Sequence, residues 1–273
     1  MPQTGRVSEP RRAPVQTILT VDSVETLSPH MIRVIAGGPG FDSFTNNEYT
    51  DRYVKLFFAP EGSTLVAPYD LAEIRATLPQ GEWPVVRTYT VRWVDEAAQR
   101  LAIDFVVHGD EGIAGPWAAS AKPGDQLVLA GPGGGYAPDP GADWYLFVGD
   151  ESALPAISAA LEHLDPAAKG LAIIEVSEES GIQGITAPAG VRVDWIITGD
   201  TTLAEALVVK EWPTGSVQVF AHGEREAMKQ LRRVFADRGV DRAQLSLSGY
   251  WARGRTEDRF QAEKREPIGR ILD

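Results

Sequence analysis

The sequence predicts a β + α/β chain: an N-terminal six-stranded antiparallel barrel followed by a domain built on a parallel sheet. Three observations predict it. The first half holds about six short runs rich in Val, Ile, Leu, Phe and Tyr, punctuated by Gly, Pro, Asp and Asn, with no long helical stretch between them. The second half alternates apolar strands with helix-period segments, the rhythm of a parallel sheet covered by helices. Between them lies Gly131-Pro132-Gly133-Gly134-Gly135-Tyr136-Ala137-Pro138-Asp139-Pro140-Gly141. So many Gly and Pro read as a turn-rich linker, which puts the boundary near residue 140 and divides the chain into 1–140 and 141–273.

The elements follow in order. Barrel strands are expected over residues 15–24, 31–36, 53–59, 85–94, 101–107 and 126–130. One short helix is expected over 114–121, where Pro116 suits a first turn. After the join, 144–148 is an apolar strand. Residues 152–164 place Leu154, Ile157, Leu161 and Leu164 on one helical face, with Ser152 as the expected N-cap. Strands over 171–176, 191–197, 217–221 and 245–250 alternate with helices over 202–208 and 224–238. Gly239 is the expected stop of the last helix. The charged tail after Arg253 reads as helical in its middle.

Composition excludes several chemistries. Hydrophobic residues at 43% and charged residues at 23% are enough for a full core in each half. There is no Cys, so disulfides, Cys-based zinc, iron–sulfur ligation and thiol catalysis are ruled out. The four His (His30, His108, His163, His222) are scattered without metal-ligand spacing, so no protein metal site is expected. The N-terminal MPQTGRVSEPRRAPV has no apolar core of a secretory signal, and no stretch approaches bilayer length; the expectation is a cytoplasmic protein without membrane insertion. A net charge of −12 argues against nucleic acid as a partner. Residues 222–273 depart from that balance, with 12 Lys+Arg against 9 Asp+Glu. Such a segment either guides an anionic ligand or is a solvated helix surface.

The chemistry-bearing residues begin with Arg87-Thr88-Tyr89-Thr90 inside a strand. Alternation puts Arg87 and Tyr89 on one face, a guanidinium beside a phenol ring, which suits a ligand anionic at one end and aromatic at the other. An exposed barrel strand reads the same way. The next strand carries Asp104-Phe105-Val106-Val107-His108-Gly109, and Gly115-Pro116-Trp117 opens the short helix, whose N–H groups are ready for a phosphate. In the second half Val148-Gly149-Asp150-Glu151-Ser152-Ala153-Leu154-Pro155 makes a strand–turn–helix at the carboxyl end of a parallel sheet, where dinucleotides bind. Glu175 ends the next strand, about where a ribose-reading acid sits. The following Ser177-Glu178-Glu179-Ser180 brings no cation for a 2′-phosphate, which leans toward NADH over NADPH. Ala221-His222-Gly223-Glu224 repeats the strand–turn–helix form.

Taken together, R-T-Y-T, D-F-V-V-H-G, G-P-W-A, V-G-D-E-S-A-L-P-A-I and the C-terminal S-G-Y-W-A-R-G-R-T-E-D-R-F-Q-A-E-K resemble the siderophore-interacting proteins. These are FAD-dependent ferric-siderophore reductases within the ferredoxin–NADP reductase superfamily. The resemblance covers nearly the whole chain in order. It implies a flavin-binding barrel and a nicotinamide-dinucleotide domain, with FAD and NADH or NADPH as cofactors and a ferric siderophore as substrate. Arg87 would neutralise the FAD pyrophosphate, Tyr89 would pack on the flavin, and Thr88 and Thr90 would supply hydroxyls, Thr90 near flavin N5. Asp104, Phe105, Val106 and His108 would line the adenine and phosphate side, and Gly115, Pro116 and Trp117 would form a second phosphate contact. Gly149, Asp150, Glu151, Ser152, Ala153, Glu175, Gly223, Glu224, Tyr250 and Trp251 would meet the nicotinamide dinucleotide. Lys55 with Lys264 and Arg265 would form the substrate's basic patch, with Arg259 a competing tail candidate. No protein nucleophile or base is needed, because the flavin carries the chemistry, and a monomer is expected. Two other readings stay open: a flavin or flavodoxin/ferredoxin reductase on the same scaffold, and an FAD-containing siderophore carrier with no turnover.

Overall fold

The computed structural model describes residues 15–109 and 112–271. Six antiparallel strands close into a barrel: β1 (Gln16–Ser28), β2 (Met31–Gly37), β3 (Tyr53–Phe58), β4 (Val85–Asp95), β5 (Arg100–Val106) and β6 (Gln126–Gly133), in the order β1-β2-β5-β4-β3-β6. Closure leaves no free strand edge, and alternate residues such as Leu19, Val54, Leu56, Ile103, Phe105 and Leu129 fill the interior. Two short helices accompany it, α1 (Leu71–Thr77) and α2 (Ala114–Ser120). Only α2 was expected. Helix α1 has seven residues, too few to show a period; its signal was Asp70, whose carboxylate accepts the N–H groups of Ala72 and Glu73 at 3.0 Å each. Tyr69 and Leu71 cover an outer apolar patch of Phe57, Val128 and Ala130.

The second unit is a five-stranded parallel sheet, β7 (Trp144–Asp150), β8 (Lys169–Val176), β9 (Gly190–Ile197), β10 (Val217–Glu224) and β11 (Leu245–Trp251), in the order β11-β10-β7-β8-β9. Its central strands β7 and β10 are buried on both faces. Phe147, Ile174 and Phe220 pack under α3 (Leu154–His163); Leu146, Val148 and Val219 pack under α4 (Leu203–Val208) and α5 (Arg225–Asp237). A last helix, α6 (Glu257–Glu263), follows β11. One expectation is corrected here: Ser152 is not the N-cap of α3. Ala153 holds that position without a side-chain cap, and the Ser152 hydroxyl turns back to Asp150 instead.

The glycine-rich join is not a slack linker. The Asp51 carboxylate accepts the N–H groups of Gly135 and Tyr136 at 2.8 and 2.9 Å. A Cβ on Gly133 would come within 2.6 Å of the Tyr53 ring, so the chain lies flat against β3. Tyr136 then enters the second core beside Phe147 and Phe220, where Met31 of the barrel also packs. Arg92 of β4 forks onto Glu162 of α3 through both Nη atoms, one at 2.8 Å. These contacts fix the barrel strand that carries Arg-Thr-Tyr-Thr against the second sheet.

Candidate cofactor cleft

Arg87 and Tyr89 share a face of β4, as alternation requires. The Tyr89 ring lies 4.5 Å from Phe105, and Phe105 lies 5.6 Å from Trp117, so the Arg-Thr-Tyr-Thr strand and the Gly-Pro-Trp turn meet around one buried phenyl ring. Burial pushes the Tyr89 hydroxyl up to about 12, so it stays a neutral donor across the working pH range. Arg87 donates to the Val86 carbonyl at 2.8 Å and to the exposed Asp258 carboxylate of α6 at 3.2 Å. Thr88 Oγ1 accepts from Lys55 Nζ, and the Thr90 hydroxyl is hydrogen-bonded to Tyr250 of β11.

The other barrel candidates sort by what they touch. Asp104 is buried and taken up by Arg33 in a bidentate pair of 2.7 and 2.8 Å, which ties β5 to β2. Phe105 is wholly inside the barrel, while Val106 packs toward the second core. His108 lies near enough to Glu151 to stabilise its negative charge. At the start of α2, Ile113 supplies no side-chain cap, and a Cβ on Gly115 would sit 3.3 Å from the Val106 carbonyl; small residues let the helix start lie against β5. The Trp117 ring is a core side chain against Phe58 and Phe105, on the rim of a cavity of about 260 Å³ that Phe57, Tyr69 and Ile113 also line. Trp117 therefore supports the turn from below, and its expected phosphate contact is left to the backbone.

In the second unit Gly149 is required sterically. A Cβ there would fall 2.6 Å from the His222 carbonyl oxygen and 2.7 Å from Ala153 Cβ. Asp150, next in line, is buried and accepts four hydrogen bonds: from the Ser152 N–H and hydroxyl, the Glu224 N–H at 2.8 Å and the Trp251 indole N–H at 2.8 Å. Burial pushes its carboxyl up, against the pull of those donors. One carboxylate thus ties the ends of β7, β10 and β11, and Gly223 leaves room for it. Glu224 caps α5 through the N–H groups of Glu226 and Ala227 and also accepts the Arg253 N–H at 3.1 Å. Burial likewise raises Glu151 and Glu175; Ser177 donates to the first at 3.3 Å and Thr198 to the second at 2.8 Å. His222 stacks on Phe220 at 3.9 Å and meets the edge of Tyr250 at 4.9 Å. Burial drops its ring to about 3, so it is neutral at every working pH.

The tail folds back over the barrel. Asp258 of α6 meets Arg87 of β4 at 3.2 Å, which sets α6 beside the Arg-Thr-Tyr-Thr strand, and Glu257 acts electrostatically on Tyr89, Lys55 and Lys264. Lys55 and Lys264, far apart in sequence, act electrostatically on each other, and burial lowers both ammonium groups. Arg265 is exposed and, among the described residues, stands apart from this cluster, and Arg259 is occupied by Glu263 at 3.1 Å. Sequence reasoning missed Asp258, Glu257, Glu263 and Arg225, because charges on a tail carry no periodic signal of their partners.

With this geometry in view, two family profiles match the chain. A siderophore-interacting FAD-binding domain covers residues 20–136, and a siderophore-interacting protein domain covers 142–254. The chain belongs to the siderophore-interacting protein family. Within it, the chain is 32% identical to ferric vibriobactin reductase of Vibrio cholerae, across 87% of this chain and 90% of that one. It is 31% identical to an NADPH-dependent ferric-chelate reductase of Escherichia coli, across 85% and 91%. A crystal structure of a siderophore utilization protein from T. fusca superposes with a TM-score of 0.76 at 36% identity, covering 89% of this chain and 94% of that one. As in this family, the barrel is the FAD-binding part. The residues present suit that cofactor: an arginine whose side-chain ion pair is with an exposed carboxylate, a neutral half-buried tyrosine on the same strand face, and a helix start with no side-chain cap.

Proposed function

We propose that the chain is an FAD-dependent reductase that takes electrons from a nicotinamide dinucleotide and passes them to a ferric siderophore, releasing Fe(II) in the cytoplasm. Residues 1–140 act as the FAD unit and 141–273 as the nicotinamide unit, in a monomer without nucleic-acid or membrane partners. What supports the reading is that β4, the strand of Arg87 and Tyr89, is tied to α3 of the second unit by Arg92–Glu162 and to α6 of the tail by Arg87–Asp258. A bound flavin supplies the conversion of one two-electron donor into two one-electron reductions of Fe(III); the protein supplies orientation and charge.

Each group has a stated task. Arg87 would hold the diphosphate through the guanidinium that now faces the exposed Asp258. Tyr89 and the Phe105 ring behind it form the apolar wall. Thr90 and Tyr250, already paired, hold β4 and β11 at a fixed separation. Neutral His222 and its ring neighbours fill the floor without adding charge. Lys55 and Lys264 meet the anionic complex. The support for NADH over NADPH is electrostatic. Asp150, Glu151, Glu175 and Glu224 line the sheet's carboxyl end, with Arg253 as the cation acting on Glu175, which disfavours a further phosphate. The Escherichia coli relative is described as NADPH-dependent, so both dinucleotides belong in the test. Spectra of the FAD-loaded protein, taken anaerobically before and after NADH, NADPH and then a ferric siderophore, decide it. Bleaching by the dinucleotide and return of colour with the ferric complex is the expected sequence. Bleaching that only free flavin or a flavodoxin reverses assigns a different acceptor, and tight siderophore binding without bleaching assigns a carrier.

A further inference from the structure

The basic residues of the C-terminal segment are mostly not a free patch. Arg225, Lys229 and Arg232 fall at i, i+4 and i+7 along α5, one face of the helix. All three reach the tail. Arg225 donates to Glu263 Oε2 at 2.6 Å, Lys229 to the Ile268 carbonyl at 2.7 Å and Arg232 to the Ile271 carbonyl at 3.1 Å. Glu263 is the centre of this grip. Its other oxygen takes Arg255 at 2.7 Å and Arg259 at 3.1 Å, so one buried carboxylate faces three guanidinium groups, and that of Arg225 is itself buried. Three charge-assisted bonds to one carboxylate fix its position and direction far better than a single surface pair does. The chain then closes tightly over it: a Cβ on Gly269 would lie 2.1 Å from the Glu263 carbonyl oxygen.

The next residue is Lys264. Its amine sits against the Phe260 ring at 4.6 Å and within electrostatic reach of Lys55. Two ammonium groups repel at such range and would drift apart on a loose tail. The anchorage of the tail at Glu263 opposes that drift. We propose that Glu263 is a positioning residue: by gathering Arg225, Arg255 and Arg259 it fixes the end of α6 so that Lys264 stands opposite Lys55 as a two-amine receptor for an anionic ferric chelate. The role of the receptor rests on the reductase reading above; the clamp itself does not.

Two readouts separate them. The first is a short-span amine-reactive cross-linker with peptide mapping. The parent yields a Lys55–Lys264 link, and Glu263→Gln loses most of it. The second is steady-state reduction of the ferric–EDTA anion and, as control, of the hexaammineruthenium(III) cation, over a range of NaCl. Glu263→Gln raises KM for the anion by about five-fold or more and flattens its salt dependence, with kcat, KM for NADH and the cationic acceptor close to parent values. Because Glu263→Gln leaves a buried arginine uncompensated, the double variant Arg225→Met/Glu263→Leu removes both charges and keeps the volume. It is expected to show the same loss of link and the same rise in KM. A folded variant with parental cross-link yield, KM and salt slope overturns the proposal. A parent that cross-links but reduces no ferric complex overturns the reductase reading and leaves the clamp to be judged by the link alone.

Discussion

Gly149, Thr90 and His222 each hold the cleft by a different physical means. Gly149 works by absence of a side chain. Replacing it with Ala forces a methyl against the His222 carbonyl and Ala153. Gly149→Ala should therefore lower unfolding free energy by about 1–3 kcal/mol in denaturant titration, with β7, β10 and the α3 start displaced together. Thr90 works by a hydroxyl. Thr90→Val leaves the buried Tyr250 hydroxyl without that partner, which costs about 1–3 kcal/mol in the same assay, whereas Tyr250→Phe together with Thr90→Val recovers part of it. His222 works by staying neutral. Its folded pKa of about 3 lies below the 6.5 of the free side chain, so its stabilising contribution is full above about pH 6.5 and declines as pH falls toward 3. Replacement by Asn should flatten the acid limb of the stability–pH curve over that window. At this scale the sequence showed types and missed partners. Arg87 and Tyr89 share a face because a strand alternates, and that was readable. Asp104 pairs with Arg33 because β2 and β5 are neighbours in the barrel, a fact of register that no local pattern carries.

The elements were legible where each was long enough to show a period. Strands β7 and β8 and helices α3 and α5 declare themselves through continuous apolar runs or a 3.6-residue stripe. Helix α1 does not, with seven residues and a single buried side chain, Ile74. The join at residues 131–141 was misjudged for a different reason. Gly and Pro signal a turn but say nothing about what presses on it, and here Tyr53, Tyr49 and Asp51 do. Helix α6 is the element on which the cleft depends most and which the sequence described least. The three arginines hold the Glu263 carboxyl down to about 2, well below its usual 4.5. That stabilisation is fully present above about pH 4.5 and is lost as pH falls through 2. Limited proteolysis of the tail by an acid protease should accelerate in that interval, and in Glu263→Gln the tail should be about equally labile at pH 4.5 and at its lower end.

Across the whole molecule, two cores share a border instead of a tether. Tyr136 and Met31 leave the barrel to pack with Phe147 and Phe220, and Arg92 grips Glu162. Strand β4 and helix α3 of the second unit are thus held in direct contact. The architecture followed from the alternating rhythms of the two halves; the local charge did not, because an overall charge of −12 conceals both the acidic carboxyl edge of the second sheet and two lysines, Lys55 and Lys264, that act electrostatically on each other. That arrangement predicts that kcat/KM for an anionic ferric complex falls as ionic strength rises, since screening sets in within about 10 Å at 0.1 M salt, while a neutral acceptor shows little change. All of this presumes that Arg87 is the anchor of the flavin's diphosphate. The direct test is FAD retention on gel filtration by the parent and by Arg87→Ala, with Asp258→Ala as the companion that frees the guanidinium. The account predicts that the parent and Asp258→Ala elute yellow and that Arg87→Ala elutes colourless, a loss on the order of 2–5 kcal/mol of binding. An Arg87→Ala protein that keeps its flavin with parental affinity would contradict it.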